Sequence, residues 1–168
     1  LQDGHLAVMS SEGSTMQIWG AGNGQLEGRI KGPGKDIVSV SWSPADQRYA
    51  SITEPGFLSF NNDMSIQIWK MDSGSRLHSL EPQGGEIGVV SWSADGSLLA
   101  SDSRNGAVQV WKAGDGQLMQ TLPGHSDRVT SISWSPQGHT LASGSQDSTV
   151  RIWNADDGEL LRIYQGHN

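Results

Sequence analysis

The stretch that decides the fold is Gly124-His125-Ser126-Asp127-Arg128-Val129-Thr130-Ser131-Ile132-Ser133-Trp134-Ser135-Pro136, followed by Leu141-Ala142-Ser143-Gly144-Ser145, Asp147 and Val150-Arg151-Ile152-Trp153. Side chains on a β-strand point alternately to opposite faces. This region divides into four short runs with that alternation, 129–134, 140–145, 149–154 and 159–164. The segments between them, Ser135-Pro136-Gln137-Gly138, Gln146-Asp147-Ser148 and Ala155-Asp156-Asp157-Gly158, are built from turn-forming residues. The unit is therefore expected to be a four-stranded antiparallel meander.

The same pattern recurs upstream. Trp42, Trp92 and Trp134 each sit in Ser-Trp-Ser, and Trp19, Trp69, Trp111 and Trp153 each close a later run. Trp92 to Trp134 and Trp111 to Trp153 are both steps of 42 residues, and each closing Trp precedes the next Ser-Trp-Ser tryptophan by 23. A fixed period of this length marks a repeat architecture in which each unit buries its faces against its neighbours. The second unit gives runs at 37–42, 48–52, 65–70 and 75–80, and the third at 88–93, 98–103, 107–112 and 117–122. In the first unit Gln2-Asp3-Gly4-His5 aligns with Pro136-Gln137-Gly138-His139, which leaves three runs at 6–10, 15–20 and 25–30. Fifteen strands are expected, in units at 1–32, 33–82, 83–124 and 125–168.

Gly124-His125, the Ser-Trp-Ser-Pro at 133–136, Leu141-Ala142-Ser143-Gly144-Ser145, Asp147 and Trp153 resemble a WD repeat. The resemblance implies a β-propeller. The expected fold class is all-β, an arc of four blades with a three-stranded first blade, part of a larger ring or of one completed by a second copy. The residue after each closing Trp is Gly20, Lys70, Lys112 or Asn154 and never Asp, at a position that varies in the family. The Ser-Trp-Ser-Pro style is similar to WD-repeat arrays of large multidomain prokaryotic proteins. Resemblance also implies a buried hydrogen-bonded tetrad, which in the last unit falls on His125, Ser143, Asp147 and Trp153. Other units match less well. The third has Ser101, Asn105 and Trp111 with Gln83 at the His position, the second has Ser51, Asp63 and Trp69 with Pro33, and the first has Met9 and Gly13 for Ser and Asp. The last unit is expected to be the best specified.

Composition narrows the function classes. There are no cysteines, so disulfides and thiolate metal sites are excluded. With 11 basic against 18 acidic residues the net charge is −7, which disfavours binding to a nucleic-acid backbone or an anionic membrane. The five His lack metal-ligand spacing, and the 22 Gly mark turns rather than a phosphate loop. His125, Ser143 and Asp147 imitate a nucleophilic triad, but their place in the repeat assigns them to the tetrad. No catalytic residue, cofactor or metal is expected, and the chain is read as a non-enzyme.

Proteins or peptides are the expected partners. The family resemblance places contacts on the end carrying the turns between second and third strands. There the second unit takes twelve steps from Ser51 to Asp63 where the fourth takes four from Ser143 to Asp147, and the extra residues include Phe57, Leu58 and Phe60. These apolar residues are candidate anchors. Asp36, Glu86 and Arg128, which lead into first strands, are secondary candidates. An open arc also predicts self-association into a ring or filament. The absence of an initial Met suggests a piece of a longer chain, and a cytoplasmic location is the working expectation.

Overall fold

A computed structural model describes residues 5–9, 15–20, 22–31, 37–53, 64–82 and 85–166. Among these residues fifteen strands form one three-stranded and three four-stranded antiparallel sheets. The first sheet contains β1 (His5–Met9), β2 (Thr15–Gly20) and β3 (Leu26–Lys31), and the second contains β4 (Ile37–Trp42), β5 (Arg48–Thr53), β6 (Ser65–Lys70) and β7 (Arg76–Leu80). The third contains β8 (Val90–Trp92), β9 (Leu98–Asp102), β10 (Val108–Lys112) and β11 (Leu118–Leu122). The fourth contains β12 (Val129–Trp134), β13 (Thr140–Ser145), β14 (Thr149–Asn154) and β15 (Leu160–Gln165). Within every sheet the strands pair in sequence order. Among the described residues no helix is long and apolar enough to cross a membrane.

The second, third and fourth sheets pack face to face, and the middle strands of the third are covered on both sides. Ala50, Ile52, Ile66, Ile68 and Leu80 of the second sheet bury against Ile87, Val90, Trp92, Leu99, Trp111 and Ala113. Ala100, Val108, Val110 and Leu122 of the third bury in the same way against Val129, Ile132, Leu141, Trp153 and Ala155. Burial of these aliphatic and indole surfaces is the main stabilising force at each seam. The Ser-Trp-Ser tryptophans add direction to it. Trp92 Nε1 donates to Ser41 O at 3.0 Å, and Trp134 Nε1 donates to Ser91 O at 3.1 Å. An indole N–H can only donate, so one residue in the first strand of the third sheet and one in that of the fourth tie each sheet to the preceding one.

Two irregularities repeat. The pairing of the last two strands shifts register just before the closing Trp in every sheet, at Ile18/Trp19, Ile68/Trp69, Val110/Trp111 and Ile152/Trp153. Such bulges increase the local twist. The first strand is also bulged in the second and fourth sheets, at Ile37/Ser39 and Val129/Ser131.

The third sheet corrects the sequence reading of a strand at 88–93, since β8 begins only at Val90. Asp102 supplies the physical reason. Its Oδ1 accepts the amides of Gly88 and Val89, both at 2.8 Å, so a carboxylate takes donors at the entrance to the strand.

Candidate functional site

The fourth sheet brings His125, Ser143, Asp147 and Trp153 into one chain of hydrogen bonds. Trp153 Nε1 donates to Ser143 Oγ at 2.9 Å, Ser143 Oγ lies 2.8 Å from His125 Nε2, and His125 Nδ1 lies 2.9 Å from Asp147 Oδ2. Because the indole must donate, one ordering satisfies every group: Ser143 O–H donates to Nε2, and Nδ1–H donates to the carboxylate. Asp147 also accepts from Ser126 N at 3.1 Å, Thr149 N at 2.9 Å and Thr149 Oγ1 at 2.6 Å. Burial works against the Asp147 carboxylate, but the bonds from Thr149, His125 and Ser126 outweigh it and hold the group far below the usual carboxylate range. Ser143 is 0% exposed and Trp153 1%. No substrate atom can approach the hydroxyl in this packing.

The second and third sheets keep only part of the chain. Trp69 Nε1 donates to Ser51 Oγ at 2.9 Å and Trp111 Nε1 to Ser101 Oγ at 3.1 Å. Asn105 does not extend the link, because its Oδ1 accepts from Ala107 N and from Ser103 Oγ within its own turn. Pro33, Asp63, Gln83 and Gly13 lie outside the described residues.

Of the candidate contact residues, Asp36, Phe57, Leu58 and Phe60 also lie outside the described residues. Glu86 and Arg128 are exposed. A Cβ on Gly88 would stand 2.9 Å from Arg128 Nη2 and 3.7 Å from Asp102 Oδ2, so the end of the guanidinium rests close over the Gly88 backbone. A cavity of about 240 Å³ lies here, lined by Gly88, Val89, Arg128, Val129, Thr130 and Gln146. Asp102 is 1% exposed, and its burial pushes the carboxyl up while the amides of Val89 and Gly88 and the charge of Arg128 draw it back only in part.

Sequence reasoning passed over two features. Asp102 occupies the position of Ile52 and Gly144 in the neighbouring units, and an acid on the buried face of a second strand was the available signal. The other is a cavity of about 540 Å³ at the opposite end, where the turns of the third and fourth sheets meet and where Arg48 also reaches.

Residues 74–112 and 116–154 match the family model of the WD domain, G-beta repeat. The chain carries WD repeats. Each matched WD window is staggered against the sheets: 74–112 takes in β7 to β10, and 116–154 takes in β11 to β14. One WD repeat thus supplies the outer strand of one blade and the three inner strands of the next, which links adjacent blades through the chain itself. Protein tipD of Dictyostelium discoideum is 30% identical over 87 residues, which is 52% of this chain and 12% of that protein. Coronin-7 of Mus musculus is 24% identical over 104 residues, 62% of this chain and 11% of that one. The WD-repeat chain therefore spans only about a tenth of either relative. Among solved structures, that of U3-55K superposes with a TM-score of 0.71 at 28% identity over 82% of this chain and 42% of its own. The computationally designed Ika8 protein reaches 0.77 at 23% identity, covering 99% of this chain and 48% of its own, a likeness of fold. The WD-repeat arc is all-β, and WD repeats in general are non-catalytic and mediate contacts between proteins.

Proposed function

We propose that this arc is a non-catalytic interaction module that holds partner proteins or peptides on its turn-bearing ends. The observation that carries the reading is the burial of the triad-like constellation in the fourth blade. His125, Ser143 and Asp147 are engaged with Trp153 in closing the fourth blade, and the hydroxyl that would be a nucleophile is 0% exposed. Rigid sheets that display several turns at once are suited to partner contacts. Phe57, Leu58 and Phe60, which lie in sequence between β5 and β6, with Asp36, Glu86 and Arg128, which precede first strands in sequence, are the proposed contacts. A cytoplasmic setting is part of this proposal.

Two experiments test it. A fluorophosphonate probe should leave Ser143 unlabelled in the folded protein, and a covalent adduct there would overturn the non-catalytic reading. Photo-crosslinking residues placed at 57, 60, 86 and 128 should capture one discrete partner, which simultaneous substitution of Phe57, Leu58 and Phe60 by Ser or of Arg128 by Glu should abolish. Capture that is unchanged in both variants would remove these residues from the interface.

Self-association is a second reading, favoured by one observation. Tyr164 stands in β15 where Leu80 and Leu122 stand in β7 and β11, paired with Val150 as they are with Ile66 and Val108. Those leucines are 1% and 0% exposed, whereas Tyr164 is 54% exposed. The first blade pairs Leu6 with Trp19 in the register in which the fourth pairs Leu141 with Trp153, and the first blade of a second copy is the proposed cover for Tyr164. Light scattering should then give a discrete dimer that Tyr164→Asp dissociates. A monomer at every concentration would refute this second reading.

A further inference from the structure

Two residues before the four closing tryptophans stand Gln17, Gln67, Gln109 and Arg151, so blade four alone carries a cation at this place in the repeat. In blade two the position is satisfied from within. Gln67 pairs with Ser79 across β6 and β7, its Nε2 donates to Ser79 Oγ at 2.8 Å and to Ser65 Oγ at 2.9 Å, and its Oε1 accepts from Arg76 Nη1 at 3.4 Å. In blade three Gln109 stands opposite Thr121. Its Oε1 meets no donor among the described residues, but at 1% exposure no outside group reaches it. In blade four Arg151 stands opposite Ile163, whose side chain offers no acceptor.

Arg151 is left with a charge and no partner. Among the described residues nothing accepts a hydrogen bond from its side chain, and no carboxylate lies within ion-pairing distance of it. The acid of the same blade's tetrad, Asp147, is committed to His125, Ser126 and Thr149. The side chain as a whole is half-buried, and of its three unbonded nitrogens only Nε is enclosed. The two terminal nitrogens therefore remain open to an outside group. Side chains two apart on a strand share a face, so Arg151 lies on the side on which Trp153 packs against blade three. Its end rests against Gly124, an exposed residue between β11 and β12, where a Cβ would overlap Nη1 and stand 3.2 Å from Cζ. Ile163, directly opposite in β15, is 48% exposed. A forked donor and an apolar side chain are thus accessible side by side at the outer part of this seam.

A partly buried charge without a partner is costly, and the planar fork of a guanidinium matches the two oxygens of a carboxylate. The apolar surface of Ile163 suits the methylene groups of a side chain that carries such a carboxylate.

We infer that Arg151 is the receptor for a glutamate or aspartate side chain of a partner protein that docks at the outer seam between blades three and four, with the carboxylate on the terminal nitrogens and the methylenes against Ile163. The inference rests on the protein-binding reading and adds the chemical class of one contact. It fails separately, because the fluorophosphonate and crosslinking tests read Ser143 and positions 57, 60, 86 and 128.

The test is an NMR titration of the ¹⁵N-labelled chain with N-acetyl-glutamate amide and, in parallel, with neutral N-acetyl-glutamine amide. The glutamate probe should shift the Arg151 Nε–H resonance and the amides of Gly124 and Ile163, and the glutamine probe should bind more weakly by about tenfold, since it lacks the charge-assisted bonds. Potassium phosphate at matched ionic strength should shift these resonances less than the glutamate probe. Arg151→Gln, which installs the residue of the other three blades, should abolish the glutamate response. Equal responses to glutamate and glutamine, a phosphate response as large as that of glutamate, a response unchanged in Arg151→Gln, or none at tens of millimolar would each overturn the inference. If Arg151→Gln does not fold, the three probes on the parent chain still decide it.

Discussion

Ser143→Ala should be the most costly of the three equivalent serine substitutions. In blade four Ser143 Oγ serves two buried partners, accepting from Trp153 Nε1 at 2.9 Å and lying 2.8 Å from His125 Nε2. In blades two and three the matching hydroxyls of Ser51 and Ser101 each serve one indole, at 2.9 and 3.1 Å. A buried polar group left without a partner costs about 1–3 kcal/mol. Ser143→Ala strands two such groups, so about 2–5 kcal/mol is expected, against about 1–2 kcal/mol for Ser51→Ala or Ser101→Ala. Equilibrium urea unfolding followed by tryptophan fluorescence and far-ultraviolet circular dichroism gives the comparison. Repeat arrays can unfold blade by blade, so non-coincident transitions call for amide exchange measured within each blade. An equal loss for the three variants, or a smaller one for Ser143→Ala, would refute the idea that the extended network sets blade four apart.

Other perturbations probe separate links of the account. Arg48→Met should destabilise the seam between blades two and three by about 2 kcal/mol through loss of its bonds to the Gly96 and Ala113 carbonyls, seen as faster amide exchange in β5 and β9 with β13 and β14 unaffected. Ser148 holds φ at 66° where the third unit has Gly106 at 76°. A left-handed conformation costs a non-glycine residue about 1–2 kcal/mol, partly offset by the greater freedom glycine brings to the unfolded chain, so Ser148→Gly should raise the urea midpoint by the equivalent of about 0.5 kcal/mol. For Asp102 the folded carboxyl is shifted up by burial, so its contribution to stability is present below the unfolded value and lost as pH rises through the folded one. Asp102→Asn retains an oxygen acceptor for Gly88 and Val89, and should gain stability over the parent at pH 7 with the gain fading below pH 4. Asp147 has the opposite sign. Its depressed carboxyl stabilises above the unfolded value, and that stability is lost as pH falls through the folded one, so Asp147→Asn should reduce the acid sensitivity of blade four in pH-dependent unfolding.

What the sequence disclosed and what it hid differ in physical kind. Alternation and the 42-residue step depend on local geometry, so the Ser-Trp-Ser and closing tryptophans placed most strands within a residue or two, including all six residues of β12, β13 and β14. The tetrad of His125, Ser143, Asp147 and Trp153 was an expectation of the WD-repeat resemblance, because the last unit carries all four residue types. Contacts between units were not legible. Arg48 reads locally as a charge at the start of a strand, yet its acceptors lie 48 and 65 residues away. Asp102 reads as one more polar residue after Leu99-Ala100-Ser101, and nothing nearby in sequence indicates that its carboxylate turns back onto Gly88 and Val89 to shorten β8. The Ser-Trp-Ser tryptophans served as markers, and their role as donors to the preceding blade appears only when the sheets are stacked.

The central claim is that the triad-like residues of the fourth blade serve the fold, and hydrogen exchange of the tryptophan indole N–H groups tests it most directly. Trp153 Nε1, donating to Ser143 in a site 1% exposed, should exchange only through unfolding of blade four, more slowly than Trp69 and Trp111, and should lose that protection in His125→Ala. Rapid exchange of the Trp153 indole in the native protein, or protection indifferent to His125, would contradict the account.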